Sequence, residues 1–220
     1  VADKNNPNAL HYQDILSLFQ DFTGTIWMGT DGAGLSYYDE YLSKFNSLTN
    51  NNVPQDVHVD VIRAITADNQ NIWLGTSGKG LTRLNLNTQE AYTLNVGESN
   101  LAGARIMALH HDGNILWIAH QEHGLQKMGR NGKIQTVDKL KNYTIWKIYE
   151  ATNQRLWLCT RNHGLLLYDK NSGIIAQYNM ENSGLTSNNI RTIELHKEGT
   201  YWIGTEQNGL FLLDQTTMKA

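Results

Sequence analysis

A short motif built around tryptophan recurs five times along the chain, and it limits the possible folds more than any other feature. In each copy the tryptophan is flanked by apolar residues and is followed, seven residues later, by Gly-Leu. The copies are centred on Trp27, Trp73, Trp117, Trp157 and Trp202, at spacings of 46, 44, 40 and 45 residues. A repeat of this length is the signature of a propeller or a solenoid, in which identical units stack to bury a shared core.

Each repeat reads as four short strands, and the second copy shows them best. Residues 61–67, 72–76, 81–86 and 90–94 are rich in apolar and β-branched residues and are separated by Asn, Asp, Gly and Ser. Such residues favour tight turns. A helical solenoid would need stretches of ten or more residues with a period of 3.6, and the sequence has none. The pattern therefore predicts an all-β fold, a β-propeller of five four-stranded blades.

The residues that mark the repeat have physical roles in such a fold. The tryptophan is large enough to fill the layer between two blades. The residue two positions later is small in every copy (Gly29, Gly75, Ala119, Cys159 and Gly204), which lets the neighbouring sheet approach. The glycine before leucine is expected to end a turn with positive φ, where a side chain would be strained.

The blade boundaries follow from the turns. We predict a linker at 1–14, blade 1 at 15–60, blade 2 at 61–103, blade 3 at 104–143, blade 4 at 144–188 and an incomplete blade 5 at 189–220 that lacks its outer strand. Residues 1–3 are too short to complete that blade. We therefore expect an arc cut from a longer ring, with a closed five-bladed ring as the alternative. An open arc would expose strand edges and apolar faces, which favours self-association.

Composition excludes several classes of function. The net charge is −3 and the basic residues form no stripe, so the chain lacks the electrostatic pattern of a nucleic-acid binder. The apolar runs are too short to cross a bilayer, and the first residues do not form a signal peptide. The single cysteine, Cys159, cannot form an internal disulfide. These features fit a cytosolic protein, and they equally fit a piece of an exported one.

The repeat resembles a known family. Residues 22–39, which contain Ile26-Trp27-Met28-Gly29-Thr30 and Gly34-Leu35, look like the two-component regulator propeller repeat, and so does the segment Asn182-Ser183-Gly184-Leu185-Thr186-Ser187-Asn188-Asn189-Ile190-Arg191. The resemblance extends over nearly the whole chain. The third and fourth copies depart from the pattern, with Ala119-His120 and Cys159 where Gly-Thr and Gly are expected.

The resemblance implies more than the residues show. Such repeats commonly form the periplasmic part of membrane-bound hybrid histidine kinases of Bacteroides and its relatives, with two seven-bladed propellers, a β-sandwich, a membrane helix and the kinase. Their usual signals are oligosaccharides, which regulate polysaccharide-utilisation genes. By this resemblance the chain is a non-catalytic periplasmic sensor fragment, with no cofactor. Its expected partners are an oligosaccharide and the remaining blades and β-sandwich of the parent chain.

Two sets of residues are candidates for binding a ligand at the mouth of the propeller channel. The turns between the second and third strands vary most among the copies and contribute Lys79, His123, Arg161 and His163. Aligned inner strands place Leu16, Arg63, Met107, Trp146 and Arg191 at one position. Arginine matches carboxylate and sulfate groups, and tryptophan stacks on a sugar ring. Alternatively, the turns are merely tolerant of change and the arginines pair with acids along the channel.

Other chemistries are weaker hypotheses. His120 and His123 have a metal-like spacing but lack a recognised zinc pattern, so we predict no metal site. Cys159 occupies the small-residue position and is expected to be a buried, unreactive thiol. A carboxylate-dependent glycosidase or lyase would need two of the acids Asp31, Asp60, Glu122 and Glu206 to meet over a pocket, and these belong to different copies. A protein-interaction scaffold is the remaining alternative, because fold alone does not fix function.

Overall fold

A computed structural model describes residues 9–10, 12–39 and 44–215. Within these residues the regular structure is β apart from one 3-10 turn at Asp138–Leu140. The strands, in chain order, are β1 (Ile15–Gln20), β2 (Ile26–Thr30), β3 (Leu35–Asp39), β4 (Lys44–Leu48), β5 (Ile62–Ala67), β6 (Asn71–Thr76), β7 (Leu81–Asn85), β8 (Ala91–Leu94), β9 (Ile106–His111), β10 (Ile115–His120), β11 (Leu125–Gly129), β12 (Ile134–Thr136), β13 (Ile145–Thr152), β14 (Arg155–Thr160), β15 (Leu165–Asp169), β16 (Gly173–Tyr178), β17 (Ile190–Lys197), β18 (Thr200–Thr205) and β19 (Leu210–Asp214). None of the described segments is a helix long and apolar enough to cross a membrane.

The strands form five antiparallel sheets, each ordered as they occur in the chain. Blades 1 to 4 are the sheets β1–β4, β5–β8, β9–β12 and β13–β16, and blade 5 is the sheet β17–β19. The predicted propeller architecture is confirmed. The predicted loss of an outer strand from blade 5 concerns residues 216–220, which lie outside the described residues, as does most of the predicted linker.

The blades follow one another as in a propeller, with the inner strands side by side. Strand β5 packs between β1 and β9, and β13 packs between β9 and β17. Two isolated bridges, Asp31 to Val61 and Ser77 to Arg105, join a turn of one blade to the start of the next. No comparable packing joins β1 to β17 among the described residues.

The repeated tryptophan fills the layer between consecutive blades, as predicted. Trp27 lies in a cluster with Ile62 and Leu74 of blade 2, and Trp157 lies with Ile193 of blade 5. Burying a tryptophan removes roughly 150–250 Å² from water, or about 4–6 kcal/mol before entropy is counted. These layers are therefore the main apolar contribution to blade stacking.

The small residue of each repeat is also required by packing. A Cβ added at Gly29 would lie 2.8 Å from Ile62 Cγ2, and one added at Gly75 would lie 2.6 Å from Ile106 Cγ2. Ala119 and Cys159 take the same position in blades 3 and 4 and are fully buried. The predicted close approach of neighbouring sheets at this position is confirmed.

The outward faces of the first and last blades remain uncovered among the described residues. Leu18 of blade 1 is 68% exposed, whereas Ile148, at the same position of blade 4, is 4% exposed. Trp202 of blade 5 is 38% exposed, whereas Trp117 is 1% exposed. Leu210 and Leu212 of blade 5 are exposed as well. The described residues thus form an open arc of blades with an apolar face at each end.

Candidate functional site

The two rims of the arc carry different loops. One rim, which we call the upper face, carries the connectors between blades and the turns between the second and third strands. These turns are 31–34, 77–80, 121–124, 161–164 and 206–209. We call lower face the rim formed by the first hairpin turns of each blade, such as 68–70 and 112–114, and the last turns, such as 130–133. The predicted site residues all belong to the upper face or to the inner strands next to it.

The turns of the upper face are fixed by their glycines. All five glycines that precede leucine have positive φ, between 74° and 88°, as predicted. In blades 1 to 4 this glycine donates its N–H to the following connector, for example from Gly80 to Ala104 O at 2.9 Å and from Gly164 to Asn188 O at 2.8 Å. The turn side chains therefore project from a backbone that is tied to the next blade.

The aligned inner-strand position coincides with a β-bulge in every blade. The register shifts between Ile62 and Ala64, between Ile145 and Lys147, and between Ile190 and Thr192, which leaves the intervening residue unpaired. The same shift lies at Leu16 and Met107. Since a bulge re-aims its side chain, this position is structurally equivalent in all five blades.

Trp146 and Arg191, two of the predicted residues, are brought together across the joint between blades 4 and 5. The guanidinium carbon of Arg191 lies 3.8 Å from the centroid of the Trp146 ring, which is a cation–π contact. Arg191 also forms an ion pair with Glu206 in the turn of its own blade. The exposed guanidinium is thus held in one orientation beside a half-buried indole.

Arg63 makes different contacts. Its Nε donates to Ser77 Oγ at 2.9 Å within blade 2, and no described contact links it to the Trp146–Arg191 pair. Arg105, which sequence reasoning missed, donates from Nη1 to Gln121 Oε1 at 3.0 Å on the same rim. Arg105 lies one residue before β9, so the inner-strand alignment could not find it.

The predicted turn residues divide into packed and free side chains. His163 stacks on Tyr143, with ring centroids 4.2 Å apart, and its Nδ1 lies 2.9 Å from Arg161 O. His123 covers Gly103, where an added Cβ would lie 2.4 Å from its Cδ2. The side chains of Lys79 and Arg161 are exposed. Tyr143 extends the aromatic surface of this rim and was not predicted.

His120 is fully buried and has both ring nitrogens occupied. Its Nδ1 lies 2.9 Å from Gly103 O and its Nε2 lies 2.9 Å from Gln126 Oε1. Burial lowers the pKa of His120 to about 4, although both hydrogen bonds favour the charged form. Among the described residues no three His, Cys, Asp or Glu side chains are grouped so that they could hold a metal. Cys159 is buried, and burial raises the pKa of its thiol.

Three acids of the upper face have different surroundings. Glu206 is engaged by Arg191. Glu122 is exposed in a turn with φ of 64°. Asp60 Oδ1 is buried and has no hydrogen-bond partner among the described residues. Three clefts in the described residues, of about 570, 580 and 300 Å³, are lined by none of the seven predicted site residues.

The chain is similar to several known proteins. The family model for the two-component regulator propeller matches residues 184–207. Histidine kinase P4 of Formosa agariphila is 25% identical over 193 residues, which cover 80% of this chain and 14% of that protein. The chain therefore spans a small part of this relative's length.

Solved structures show the same fold. The extracellular domain of BT3049 from B. thetaiotaomicron, assigned to the hybrid two-component systems, superposes with a TM-score of 0.74 and 24% identity, over 94% of this chain and 28% of that one. PorZ, a surface component of the type-IX secretion system of Porphyromonas gingivalis, superposes with a TM-score of 0.69 and 22% identity, over 95% of this chain and 32% of that one. The chain is a β-propeller, and its residues 184–207 match the two-component regulator propeller repeat.

Proposed function

We propose that the chain is a non-catalytic part of the periplasmic sensor region of a membrane-bound hybrid histidine kinase. The observation that carries the proposal is the match of residues 184–207 to the two-component regulator propeller, in a chain that repeats the same unit five times. The likeness to a histidine kinase of Formosa agariphila and to an extracellular sensor domain supports the same assignment.

The ligand in this proposal is an oligosaccharide that binds the upper face near Trp146 and Arg191. An indole face stacks on the apolar side of a pyranose ring, and a guanidinium group binds carboxylate or sulfate through two parallel hydrogen bonds. The cation–π contact and the ion pair with Glu206 hold Arg191 in place, which lowers the entropy lost on binding. Binding would regulate polysaccharide-utilisation genes through the kinase.

The arc in this proposal is completed by further blades of the parent chain, to give a seven-bladed ring beside a β-sandwich. The exposed apolar faces of blades 1 and 5 support this, because equivalent faces inside the arc are buried by the next blade. A monomeric surface seldom keeps such patches uncovered.

The binding proposal is tested by calorimetric titration with an acidic probe, a chondroitin sulfate tetrasaccharide, and a neutral one, maltotetraose. We expect the acidic probe to bind, and Trp146→Ala and Arg191→Gln each to weaken it at least about tenfold. Arg155→Gln, an exposed arginine of β14 away from the upper face, is the matched control. If the acidic probe binds equally well to both variants, its site lies elsewhere on the chain. If neither probe binds, the proposal that the upper face binds an oligosaccharide loses its support.

A further inference from the structure

On the lower face, blades 2 and 3 leave a cleft of about 570 Å³ between them. Its walls include Trp73, Arg83, Tyr92, His111, Leu116 and Arg130. This cleft lies on the rim opposite Trp146 and Arg191, so it is independent of the oligosaccharide site proposed above. Its volume is within the range of about 300–1,000 Å³ that is usual for small-molecule sites.

The next joint along the arc, between blades 3 and 4, is closed by ion pairs at the same place. Lys170 Nζ lies 2.8 Å from Asp112 Oδ2 and 3.0 Å from Glu150 Oε1, and its side chain is 12% exposed. Burial alone would raise the pKa of Asp112, but hydrogen bonds from Lys170 and Trp117 hold it well below its ordinary value. A lysine and two carboxylates thus compensate one another at this joint.

The joint between blades 2 and 3 has the base and only one of the two acids, Asp68, which also lines the cleft. Strand register places Arg130 where blade 4 has Lys170, and His111 where blade 4 has Glu150. Arg130 donates from Nη2 to Gly113 O at 2.9 Å. Asp68, at the position of Asp112, accepts hydrogen bonds from its own blade, as Asp112 does, but forms no ion pair among the described residues. No carboxylate pairs with Arg130 among the described residues.

Arg83 adds a second uncompensated cation and is held rigidly. Its Nε donates to Asn71 Oδ1 at 2.6 Å, and its guanidinium carbon lies 5.8 Å from the Trp73 ring centroid and 5.6 Å from that of Tyr92. Within the described residues its terminal nitrogens have no acceptor and it forms no ion pair. Arginine in this setting is preorganised to bind an anion bidentately.

His111 completes the polar side of the cleft. Its Nδ1 accepts a hydrogen bond from Gly113 N at 3.2 Å, so the ring proton lies on Nε2, which remains a donor. Tyr92 is 39% exposed and, with Leu116 and Trp73, forms an apolar wall beside these donors. The cleft therefore combines donors and cations with a surface suited to a flat ring.

We propose that the cleft between blades 2 and 3 binds an organic anion, namely a carboxylate attached to a ring with an apolar face. The guanidinium groups of Arg83 and Arg130 receive the carboxylate, and the ring lies against Tyr92 and Leu116. An aromatic acid and a sugar acid share this chemistry, and matched probes distinguish them.

The test is calorimetric titration with two pairs of probes. The aromatic pair is 2-naphthoate and its neutral amide, and the sugar pair is methyl β-D-glucuronide and methyl β-D-glucoside. We expect at least one of the two acids to bind, with one molecule per chain. Its neutral partner should bind at least about tenfold more weakly. Equal binding of acid and neutral partner, or no binding of either acid, overturns the proposal.

Variants locate the binding. Arg83→Gln and Arg130→Gln each weaken the acid at least about tenfold, and His111→Glu, which copies Glu150, abolishes binding by pairing with Arg130. Lys127→Gln is the matched control, because Lys127 holds the position of Arg83 one blade further on. Arg130 is exposed, so its substitution tests the site even where Arg83→Gln disturbs folding. Acid binding unaffected by Arg130→Gln and His111→Glu also overturns the proposal.

Discussion

The indole nitrogen of the repeated tryptophan needs an acceptor once it is buried. In blades 1 to 3 an aspartate in the preceding turn supplies one. The Nε1–Oδ2 distances are 2.8 Å from Trp27 to Asp21, 3.0 Å from Trp73 to Asp68 and 2.9 Å from Trp117 to Asp112. In blade 4 the corresponding turn residue is Thr152, and Trp157 Nε1 is buried with no partner among the described residues. Blade 4 therefore carries an unsatisfied donor that its neighbours have avoided.

Replacing Thr152 by aspartate should repair this defect. Thr152 pairs with Arg155 across a two-residue turn, and Asp68 caps a turn of the same length in blade 2. We expect Thr152→Asp to raise the free energy of unfolding by about 1.5–3 kcal/mol, the value of a hydrogen bond to a charged group. Urea unfolding followed by tryptophan fluorescence measures it.

A double-mutant cycle with Trp157→Phe is the control for that substitution. Phenylalanine has no N–H, so the gain from Thr152→Asp should vanish in the Trp157→Phe background. A gain that persists there would mean that the carboxylate acts through the turn and not through the indole.

His120 predicts a pH dependence of stability. Burial lowers its pKa to about 4, whereas the unfolded chain titrates near 6.5, so the unfolded state binds more protons between these values. The contribution of neutral His120 to the free energy of unfolding is therefore fully present above pH 6.5. It is lost as the pH falls to 4, by up to about 3 kcal/mol. Urea unfolding at half-unit steps of pH measures the slope.

His120→Thr is the matched variant, because the other four blades have threonine at this position. It should flatten the profile between pH 6.5 and 4, leaving the contribution of His110, whose pKa burial also lowers. A wild-type stability that rises on acidification would contradict this, and would mean that the two oxygen partners of His120 hold it charged.

At the scale of the element, the turn between the second and third strands depends on its glycine. Gly164 has φ of 74°, and an added Cβ would lie 2.0 Å from Tyr178 O of the outer strand. Gly209 has φ of 81°, but no described atom lies within 4 Å of its Cβ position. The two glycines share a backbone conformation and differ in what surrounds them.

Alanine at these two glycines should therefore have unequal effects. We expect Gly209→Ala to cost about 1 kcal/mol from left-handed strain and Gly164→Ala to cost about 3 kcal/mol or more, since overpacking adds to the strain. Thermal unfolding of both variants gives the difference. Equal losses of stability would mean that glycine is required only for its positive φ, and that the outer strand moves to make room for the added Cβ.

Elements that depend on local sequence could be predicted. In blade 2 the third strand was predicted at 81–86 and lies at Leu81–Asn85, because alternation and turn residues are read from neighbours in the chain. The marker glycines were also predictable, since their positive φ follows from the turn. Alignment of the five copies identifies the inner-strand position of Arg63, Trp146 and Arg191, but it does not predict that a β-bulge lies there.

The lower-face cleft could not be predicted, because it depends on residues far apart in sequence. Arg130 has a histidine at position 111 and no ion pair with Asp68, whereas Lys170 pairs with both Glu150 and Asp112. The occupied nitrogens of His120 likewise depend on Gln126, which a third residue, Asn100, holds in orientation. Such pairings become visible only when the blades are stacked.

At the scale of the whole molecule, the apolar end faces decide how the chain exists in solution. Each interior face is buried by the next blade, but Leu18 and Leu212 are 68% and 40% exposed. At equivalent interior positions Ile148 and Leu167 are each 4% exposed. We propose that another surface covers both of these end faces.

Maleimide labelling of cysteines at these positions tests the open arc most directly. Native Cys159 is fully buried and adds little background. Leu18→Cys and Leu212→Cys are compared with the interior controls Ile148→Cys and Leu167→Cys, at a dilution where light scattering shows a monomer. We expect fast labelling at positions 18 and 212 and protection at positions 148 and 167. Protection at all four positions in the monomer would mean that blades 1 and 5 meet in a closed ring, and would contradict the open arc.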